Sequence, residues 1–368
     1  MKLRLAGAVL AVLCLLGSVP GAGAVSTSAQ AAILMDADSG RVLYGHNVHD
    51  RRLIASTTKL MTALVALESG VELSREITVD PGWVGVEGSS IYLREGETLT
   101  LETLLYGMLL RSGNDAALAV AEVCAGSVEN FAAQMNQKAQ ALGMADSHFV
   151  NPNGLNDEEH YSSAYDMALL ARACLENETL REMVSTKSIA LEGRSFTNHN
   201  KLLWQYEGCI GLKTGYTEKA GRTLVSTAQR DGMTLICVTL SDPNDWADHA
   251  ALFDWGFSNY HLQRAADAGE QVGWLPVEGS LVPMCPLMTE QGLGAALKEG
   301  EVLETELILD RAALTAPVAQ GEQVGQLCCF LQGEELGRVP VVAARTIPCD
   351  RGEGGSLLEN ILARIAAL

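Results

Sequence analysis

The sequence contains few basic residues and none of the common metal- or nucleotide-binding motifs. Its 368 residues include 26 Lys and Arg against 45 Asp and Glu, which gives a net charge of −19. So acidic a chain repels a phosphate backbone, and this excludes nucleic acid as an expected partner. The seven histidines form no HExxH motif, and no glycine-rich phosphate-binding pattern stands between a predicted strand and a predicted helix. We therefore expect neither a metal ion nor a cofactor.

Long apolar runs are also scarce, since only the N-terminus approaches the length of a membrane span. Lys2 and Arg4 precede an apolar segment over residues 5–16, and Ala22-Gly23-Ala24 follows it. This order is typical of a secretory signal peptide, although an uncleaved membrane anchor is an alternative. We expect residues 1–24 to be removed and the mature chain to be extracytoplasmic. A polytopic membrane protein is excluded.

Cysteines at the spacing of a metal or redox site are absent as well. The chain has nine cysteines and no CxxC pair, which leaves a zinc or thioredoxin-type site unsupported. Eight of them follow the predicted signal peptide, and several stand in apolar runs, as Cys124 and Cys237 do. An exported chain could pair them, but we interpret them as free thiols that behave as small buried hydrophobic residues.

Between residues 25 and 262 the sequence alternates between strand-like and helical patterns. An apolar run and a turn predict an opening hairpin, and the Asp231-Gly232 pair predicts a second, tight hairpin. The spacing of apolar residues predicts helices over these ranges: 56–67, 100–110, 115–142, 166–184 and 246–260. The range 115–142 is either one long helix or a pair of helices. Three further strands are predicted over 209–215, 222–229 and 233–240. We therefore expect an α+β domain, with an antiparallel sheet flanked by helices.

After about residue 263 the helical periodicity gives way to short apolar segments separated by glycine and acidic turns. This pattern predicts a small β-rich domain over 263–348, followed by a linker and a helix over 349–368. Six apolar side chains share one face of that helix: Leu357, Leu358, Ile361, Leu362, Ile365 and Leu368. Its 13 residues from Ser356 are too few to span a bilayer. We expect it to lie on a membrane surface, the alternative being a helix docked on the β-rich domain.

Three short motifs stand in a fixed order: Ser56-Thr57-Thr58-Lys59, Ser112-Gly113-Asn114 and Lys213-Thr214-Gly215. The first places a hydroxyl and an amine on one face at the start of an apolar helix. Serine is a usable nucleophile when a neighbouring base takes its proton, and lysine is such a base when its amine is neutral. Lys59 is the only charged residue of this helix before Glu68, and a buried lysine is costly without a purpose or partner. Each motif alone is weak, but together they indicate a catalytic site.

With these motifs the chain resembles the low-molecular-mass penicillin-binding proteins, and among them the D-alanyl-D-alanine carboxypeptidase family. Two more stretches, over 148–155 and 198–203, resemble sequences of that family. The resemblance covers most of the chain and implies a transpeptidase-like domain followed by a small β-rich domain. It also implies that the protein removes the terminal D-alanine from peptidoglycan stem pentapeptides through an acyl-enzyme, with β-lactams as covalent inhibitors.

The resemblance implies a role for four reactive or polar residues of the first two motifs. Ser56 attacks the carbonyl between the last two D-alanines, and Lys59 accepts the proton of its hydroxyl. Ser112 relays a proton to the leaving amine. Asn114 holds both Lys59 and the substrate amide.

The third motif is implied to bind substrate. Lys213 and Thr214 bind the terminal carboxylate, and the charge of Lys213 lowers the pKa of Lys59. Gly215 lets the substrate backbone approach closely. The backbone N–H groups of Ser56 and Tyr216 form the oxyanion hole.

The sequence departs from the family pattern at carboxylate recognition. Some relatives carry histidine where this chain has Tyr216, although only the backbone of that residue is required. Some relatives also place an arginine beyond the strand hairpin, but residues 241–249 include three aspartates and no arginine. The sequence therefore identifies no carboxylate-binding group besides Lys213 and Thr214.

Two other functions are considered. A serine β-lactamase shares the three motifs but needs a deacylating carboxylate on an E-x-x-x-N loop. No Glu between residues 115 and 212 is followed four residues later by Asn. A non-catalytic peptidoglycan-binding protein is the second alternative, and the intact Ser56 and Lys59 argue against it.

Overall fold

The structure, a computed structural model, describes residues 25–350. The predicted signal peptide over 1–24 and the predicted C-terminal helix lie outside the described residues. The larger part of the chain contains two 3₁₀ turns, Ala55–Thr58 and Pro81–Trp83, and the following helices: α1 (Lys59–Glu68), α2 (Leu101–Arg111), α3 (Asn114–Ala125), α4 (Val128–Ala141), α5 (Ala164–Glu176), α6 (Glu178–Ser185), α7 (Leu202–Gln205) and α8 (Asp245–Asn259). Its strands are β1 (Ala31–Asp36), β2 (Val42–His46), β3 (Glu76–Thr78), β4 (Thr98–Thr100), β5 (Ser188–Leu191), β6 (Arg194–Thr197), β7 (Cys209–Thr217), β8 (Gly221–Arg230) and β9 (Met233–Leu240).

A five-stranded antiparallel sheet in the order β2-β1-β9-β8-β7 forms the centre of this part. The apolar run of β1 is explained by burial on both faces. Ile33 and Met35 belong to the core beneath helices α1 to α6, whereas Leu34 packs in a second core with Phe253 of α8. Helix α8 approaches closely because Gly256 has no side chain, and a Cβ there would lie 2.8 Å from Leu34. The predicted α+β class, with helices flanking an antiparallel sheet, is confirmed.

Most of the predicted elements are present, with shifted ends. Thr100 caps α2 as expected, accepting a hydrogen bond from the backbone N–H of Thr103. Asp231 and Gly232 have φ values of 49° and 80°, as a tight hairpin turn requires. The single helix predicted over 166–184 is wrong, because Asn177 interrupts it and caps the separate helix α6. The β5–β6 hairpin was not predicted.

The β-rich part has its own core and eight strands: β10 (His261–Ala266), β11 (Gln271–Glu278), β12 (Met284–Thr289), β13 (Leu293–Leu297), β14 (Glu304–Leu309), β15 (Leu314–Thr315), β16 (Gln323–Leu331) and β17 (Glu334–Ala343). Six of them form a sheet in the order β14-β16-β17-β12-β11-β15, and β10 pairs with β13. Arg41 joins the two parts, since its guanidinium donates to both carboxylate oxygens of Glu301 at 2.7 and 2.8 Å. This hydrogen-bonded pairing lowers the pKa of Glu301 to about 2.

Each described cysteine has a free thiol, and five of these residues are buried: Cys174, Cys237, Cys285, Cys328 and Cys329. Burial raises the pKa of the Cys209 thiol to about 11, which keeps it protonated and unreactive at neutral pH. Within residues 25–350, no single helix is both long and apolar enough to cross a membrane. One pair, α3 with α4, meets these criteria jointly and is bent by 83°.

Candidate active site

The first motif lies where a 3₁₀ turn runs into helix α1. Ser56 stands in the turn and Lys59 is the first residue of α1, so their side chains share one face. Ala55 has a φ of 46°, in the left-handed region that residues with a side chain seldom adopt. The turn packs against strand β7, which carries the third motif. The structure therefore brings the first and third motifs into contact.

Lys59 is fully buried, and its amine contacts three oxygen atoms. Nζ lies 3.0 Å from Ser56 Oγ, 2.7 Å from Asn114 Oδ1 and 2.7 Å from the carbonyl oxygen of Asn153. The carboxamide of Asn114 has a fixed orientation, because its Nδ2 donates to the carbonyl oxygen of Glu87 at 2.6 Å. The oxygens of Asn114 and Asn153 can only accept, so they take both N–H groups of a neutral amine. The lone pair of that amine then faces the Ser56 hydroxyl.

The two buried lysines differ in their tendency to lose a proton. Burial lowers the pKa of Lys59 well below its ordinary value, the positive charge of Lys213 lowers it further, and the charge of Asp115 opposes this. Burial alone lowers the pKa of Lys213 to about 7. The larger effect falls on Lys59, so Lys59 loses its proton more readily and Lys213 keeps its proton longer as the pH rises.

The carbonyl group of Asn153 comes from a tight loop that packs on the nucleophile turn. Asn151 Oδ1 accepts a hydrogen bond from the N–H of Gly154 at 2.7 Å, which closes the loop. Gly154 has a φ of 82°, and a Cβ there would lie 1.9 Å from the carbonyl oxygen of Ala55. Only glycine permits this approach. The sequence predicts a loop over 151–154, but no sequence feature of that loop indicates that a backbone oxygen contacts Lys59.

A chain of hydrogen bonds supports the nucleophile turn from the same side. The Nδ1 atom of the buried His160 accepts from the N–H of Val150 at 3.2 Å, and burial lowers the pKa of this histidine to about 4. The ring is therefore neutral with its proton on Nε2, which lies 2.8 Å from Thr58 Oγ1. The Thr58 hydroxyl in turn donates to the carbonyl oxygen of Ala55 at 2.8 Å. His160 thus positions the turn that carries the nucleophile.

The second motif connects two buried helices. Ser112 ends α2 in the left-handed conformation, with a φ of 61°, and Asn114 begins α3. The buried carboxylate of Asp115 accepts hydrogen bonds from one hydroxyl and two backbone N–H groups of segment 90–93. That segment continues to Ser89, whose carbonyl oxygen accepts from the N–H of Asn114 at 2.7 Å. Asp115 was not predicted as a site residue, although a charged residue in an apolar helix is the kind of signal that could have identified it.

Strand β7 is the last strand of its sheet, and it approaches the backbone of the nucleophile turn. Gly215 makes this possible, because a Cβ there would lie 2.3 Å from Thr223 Oγ1 and 3.0 Å from the backbone nitrogen of Ser56. The next residue is Tyr216, whose side chain points away from the core and whose exposed fraction is 64%. Strand β7 thus passes beside the backbone nitrogen of Ser56 at Gly215, and the Tyr216 ring lies outside the core.

Residues from all three motif regions line one cleft of about 380 Å³. They are Ser56, Ser112, Thr214, Gly215 and Tyr216. Arg222, Asp245 and Trp246 line the same cleft. Arg222 donates from Nε and Nη2 to Asp245 at 3.0 and 2.9 Å, and its guanidinium lies 5.6 Å from the Trp246 ring centroid. Arg222 was not predicted as a site residue, because the family pattern places its arginine beyond β9 and Arg222 stands in β8. The hairpin register offered the signal, since it pairs Arg222 of β8 with Tyr216 of β7.

Two family models match the chain. The model described as D-alanyl-D-alanine carboxypeptidase, peptidase S11, matches residues 19–244. The model described as the C-terminal domain of penicillin-binding protein 5 matches residues 260–348.

Relatives and solved structures agree with these matches. D-alanyl-D-alanine carboxypeptidase DacF of Bacillus subtilis is 34% identical over 329 residues, covering 86% of this chain and 85% of the relative. The DacA carboxypeptidase of Escherichia coli is 30% identical over 343 residues, with coverages of 89% and 85%. Penicillin binding protein 5 from Haemophilus influenzae has a TM-score of 0.71 at 28% identity, covering 88% of this chain and 98% of that one. The peptidoglycan synthesis regulatory factor PBP3 from Streptococcus pneumoniae has a TM-score of 0.75 at 26% identity, with coverages of 88% and 100%. The chain therefore belongs to the D-alanyl-D-alanine carboxypeptidase family of penicillin-binding proteins, and the resemblance drawn from its motifs is confirmed.

Proposed function

We propose that this protein is a serine-type carboxypeptidase that releases the terminal D-alanine from peptidoglycan stem pentapeptides. The observation that carries the proposal is the position of Lys59 Nζ, which lies 2.7 Å from Asn114 Oδ1, 2.7 Å from the Asn153 carbonyl oxygen and 3.0 Å from Ser56 Oγ. When the amine is neutral, its two N–H groups meet the first two oxygens and its lone pair meets the hydroxyl. Family membership supports the substrate, since the relatives are named for this dipeptide.

Acylation uses the residues of the first two motifs. Ser56 Oγ attacks the carbonyl carbon between the two D-alanines and passes its proton to Lys59. The N–H groups of Ser56 and Tyr216 stabilise the oxyanion of the tetrahedral intermediate. As the peptide C–N bond breaks, Lys59 gives up the proton through Ser112, whose hydroxyl donates one proton to the departing amine and regains one. Water then attacks the ester carbonyl carbon, its oxygen stays in the new carboxyl group, and one of its protons returns to Ser56 Oγ as the ester bond breaks.

The leaving D-alanine carries the terminal carboxylate, which needs cationic partners. Lys213 and Thr214 are the partners that the motif supplies, and Arg222 is a third from strand β8. Asp245 fixes two N–H groups of Arg222 and leaves Nη1 available, and the Arg222 side chain is 41% exposed in the cleft. A planar guanidinium matches a carboxylate geometrically. Arg222 thus supplies the further carboxylate-binding cation that residues 241–249 do not contain.

A β-lactam is expected to acylate Ser56 and to leave slowly. A β-lactamase needs a carboxylate that activates the deacylating water. The lining of the described cleft includes one carboxylate, Asp245, and it is engaged by Arg222. This favours the carboxypeptidase over the serine β-lactamase.

The first test replaces the nucleophile. Ser56→Ala is expected to abolish both D-alanine release and covalent labelling by a fluorescent penicillin, because no other hydroxyl faces Lys59 Nζ among the described residues. Lys59→Ala should lose labelling with little loss of fold, as judged by thermal melting. The exposed Ser195→Ala is the matched control and should be labelled like the native protein, with a label that persists for minutes. Labelling of Ser56→Ala at the native rate would contradict the assignment.

The second test is the pH dependence of kcat/KM. Lys59 must be neutral to accept a proton, so activity falls as the pH drops through its lowered pKa. Lys213 must be charged to bind the carboxylate, so activity also falls as the pH rises past about 7. Lys213→Arg keeps its charge at all these pH values and should lose the alkaline limb, whereas the exposed Lys187→Arg should not. An alkaline limb that stays in place in a folded Lys213→Arg enzyme would rule out this role of Lys213.

The third test concerns Arg222. Arg222→Gln is expected to raise KM about tenfold for a peptide ending in a free carboxylate, with kcat little changed, because one charge-assisted hydrogen bond is lost. The same peptide ending in a carboxamide lacks the charged acceptor and should show no such increase. Arg222→Lys should restore part of the affinity. If Arg222→Gln weakens both peptides equally, Arg222 acts on the fold of the cleft and not on the carboxylate.

We also propose that the protein is exported and held at the outer face of the cytoplasmic membrane. The basic and apolar segments of residues 1–24 support export, and the apolar face of the C-terminal segment supports attachment. The full chain, expressed in a bacterial host, should start near Val25 and sediment with membranes until detergent is added. A variant ending at Gly355 should remain in the supernatant. Equal sedimentation of the two proteins would contradict attachment through this segment.

A further inference from the structure

A second cleft, of about 760 Å³, lies between the two parts of the chain. The larger part contributes helices α5 and α6, the residues after β1 and the β8–β9 turn to its lining. The β-rich part contributes β10 and the residues just before β13. No residue that lines this second cleft also lines the active cleft, so the proposed reaction gives it no function.

Three arginines line the second cleft, although the chain as a whole has few basic residues. They are Arg172 of α5, Arg181 of α6 and Arg264 of β10. The lining also holds the carboxylates of Asp38 and Glu176, so its cations outnumber its anions. Within residues 25–350, no ion pair joins any of these arginines to either carboxylate. The cleft is therefore a cationic site on an acidic protein.

Two of these arginines have no carboxylate in contact with their guanidinium groups. Arg172 Nε donates to the carbonyl oxygen of Ala37 at 2.8 Å, and its Nη2 donates to that of Asp38 at 3.0 Å. Arg181 is exposed, and its side chain has no hydrogen-bond or ion-pair partner in the part of the chain that the structure describes. Arg172 thus keeps its charge in a fixed position, and Arg181 has donors available for a ligand.

Arg264 extends between the two parts. A Cβ on Gly292, just before β13, would lie 3.4 Å from its Nη1, and a Cβ on Gly232, in the β8–β9 turn, would lie 3.7 Å from its Nη2. Its ion pair to the exposed Asp267 uses Nε, at 3.5 Å from the carboxylate oxygen. Both terminal nitrogens therefore lie at the cleft, beside two residues that carry no side chain.

The chemistry of the lining indicates a compact anion with several charges. A guanidinium group matches a phosphate group with two parallel N–H bonds. Three such groups around one cleft favour a ligand with more than one negative charge, because a single carboxylate would leave two of them unmatched. A long polyanion is repelled by the acidic surface around the cleft. A phosphate or diphosphate group has both the charge and the small size.

We propose that the second cleft binds a compact phosphate-bearing anion, held by arginines of both parts at once. Arg172 and Arg181 bind it from the larger part, and Arg264 binds it from the β-rich part. The bound anion links the two parts at a place that the Arg41–Glu301 pair does not reach, since neither residue lines this cleft. The proposal is independent of the carboxypeptidase reaction.

The test titrates the purified full chain with inorganic pyrophosphate at low ionic strength, by calorimetry and thermal melting. Pyrophosphate should raise the melting temperature saturably, because a ligand of the folded state stabilises it. Potassium chloride at the same ionic strength should not do so. Arg181→Gln and Arg264→Gln should each weaken pyrophosphate binding about tenfold, as expected for the loss of charge-assisted hydrogen bonds. Melting curves without pyrophosphate show that each variant folds.

The matched control is Arg94→Gln. Arg94 is also exposed, its side chain also lacks a partner among the described residues, and it does not line the cleft. Its substitution changes the net charge equally and should leave the affinity for pyrophosphate at the native value.

Asp38 supplies a test of opposite sign. Its carboxylate interacts with the charges of Arg264 and Arg172, both of which act to lower its pKa against the raising effect of burial. Asp38→Asn removes a negative group that competes with the ligand for these arginines. It should therefore tighten pyrophosphate binding about threefold.

A further arm identifies the source of the phosphate. The native chain and Arg181→Gln are sedimented with phosphatidylcholine vesicles that contain phosphatidic acid. Weaker sedimentation of Arg181→Gln assigns the site to a lipid headgroup, whereas equal sedimentation with intact pyrophosphate binding assigns it to a soluble phosphate compound.

Three results would overturn the proposal. The first is a melting temperature that pyrophosphate raises no more than potassium chloride does. The second is equal weakening by Arg94→Gln and Arg181→Gln, which would show general electrostatic attraction only. The third is native affinity in Arg264→Gln, which would show that the β-rich part does not contribute.

Discussion

The burial of Lys59 is the constraint on which the active site depends. A charged ammonium group is costly in this interior, so burial lowers the pKa of Lys59 well below its ordinary value, and carbonyl oxygens satisfy the hydrogens of the amine. Its partners Asn114 and Asn153 stand 55 and 94 residues away along the chain. Helix α3 and the Asn153 loop must therefore both be in place before the lone pair faces Ser56. Basicity at the nucleophile is in this sense a product of tertiary structure, and the S-x-x-K spacing alone supplies only the proximity.

Close backbone approach is the second requirement, and two glycines meet it. Gly154 brings the Asn153 loop onto the nucleophile turn, and Gly215 brings β7 against the nitrogen of Ser56. At Gly154 a Cβ would collide with the carbonyl oxygen of Ala55, and at Gly215 it would collide with Thr223 Oγ1 and lie 3.0 Å from the backbone nitrogen of Ser56. The approach of β7 to the nucleophile turn and the position of the Asn153 carbonyl oxygen thus both depend on the absence of a Cβ. Substituting side chains around them affects the site less directly than moving these two backbone contacts would.

The sequence predicts well what depends on local pattern. The order of the motifs, the apolar faces of α1 and α2 and the Asp231-Gly232 turn all follow from side-chain identity at short range. What it does not reveal depends on which segments meet in space. The carbonyl oxygen of Asn153 has no side-chain signature, because every residue carries that atom. The position of Arg222 in the cleft follows from the pairing register of two strands, and Asn177 ends a helix whose apolar spacing continues through it. The three motifs were therefore predictable as one site, and the groups that contact them were not.

The net charge of the protein has the same sign as its proposed ligand, since a chain of net charge −19 is proposed to bind a carboxylate. The repulsion that this suggests becomes small when distance is considered. Salt screens charges that are farther apart than about 8 Å at physiological ionic strength, so acidic residues on distant surfaces contribute little in the cleft. Lys213 is buried and screened much less, and Arg222 is held in the cleft by Asp245 at contact distance. A polyanion such as nucleic acid is much longer than this screening length, so it would be repelled by acidic residues over the whole surface. The same composition that excludes nucleic acid is therefore compatible with recognition of a single terminal carboxylate by a few fixed cations.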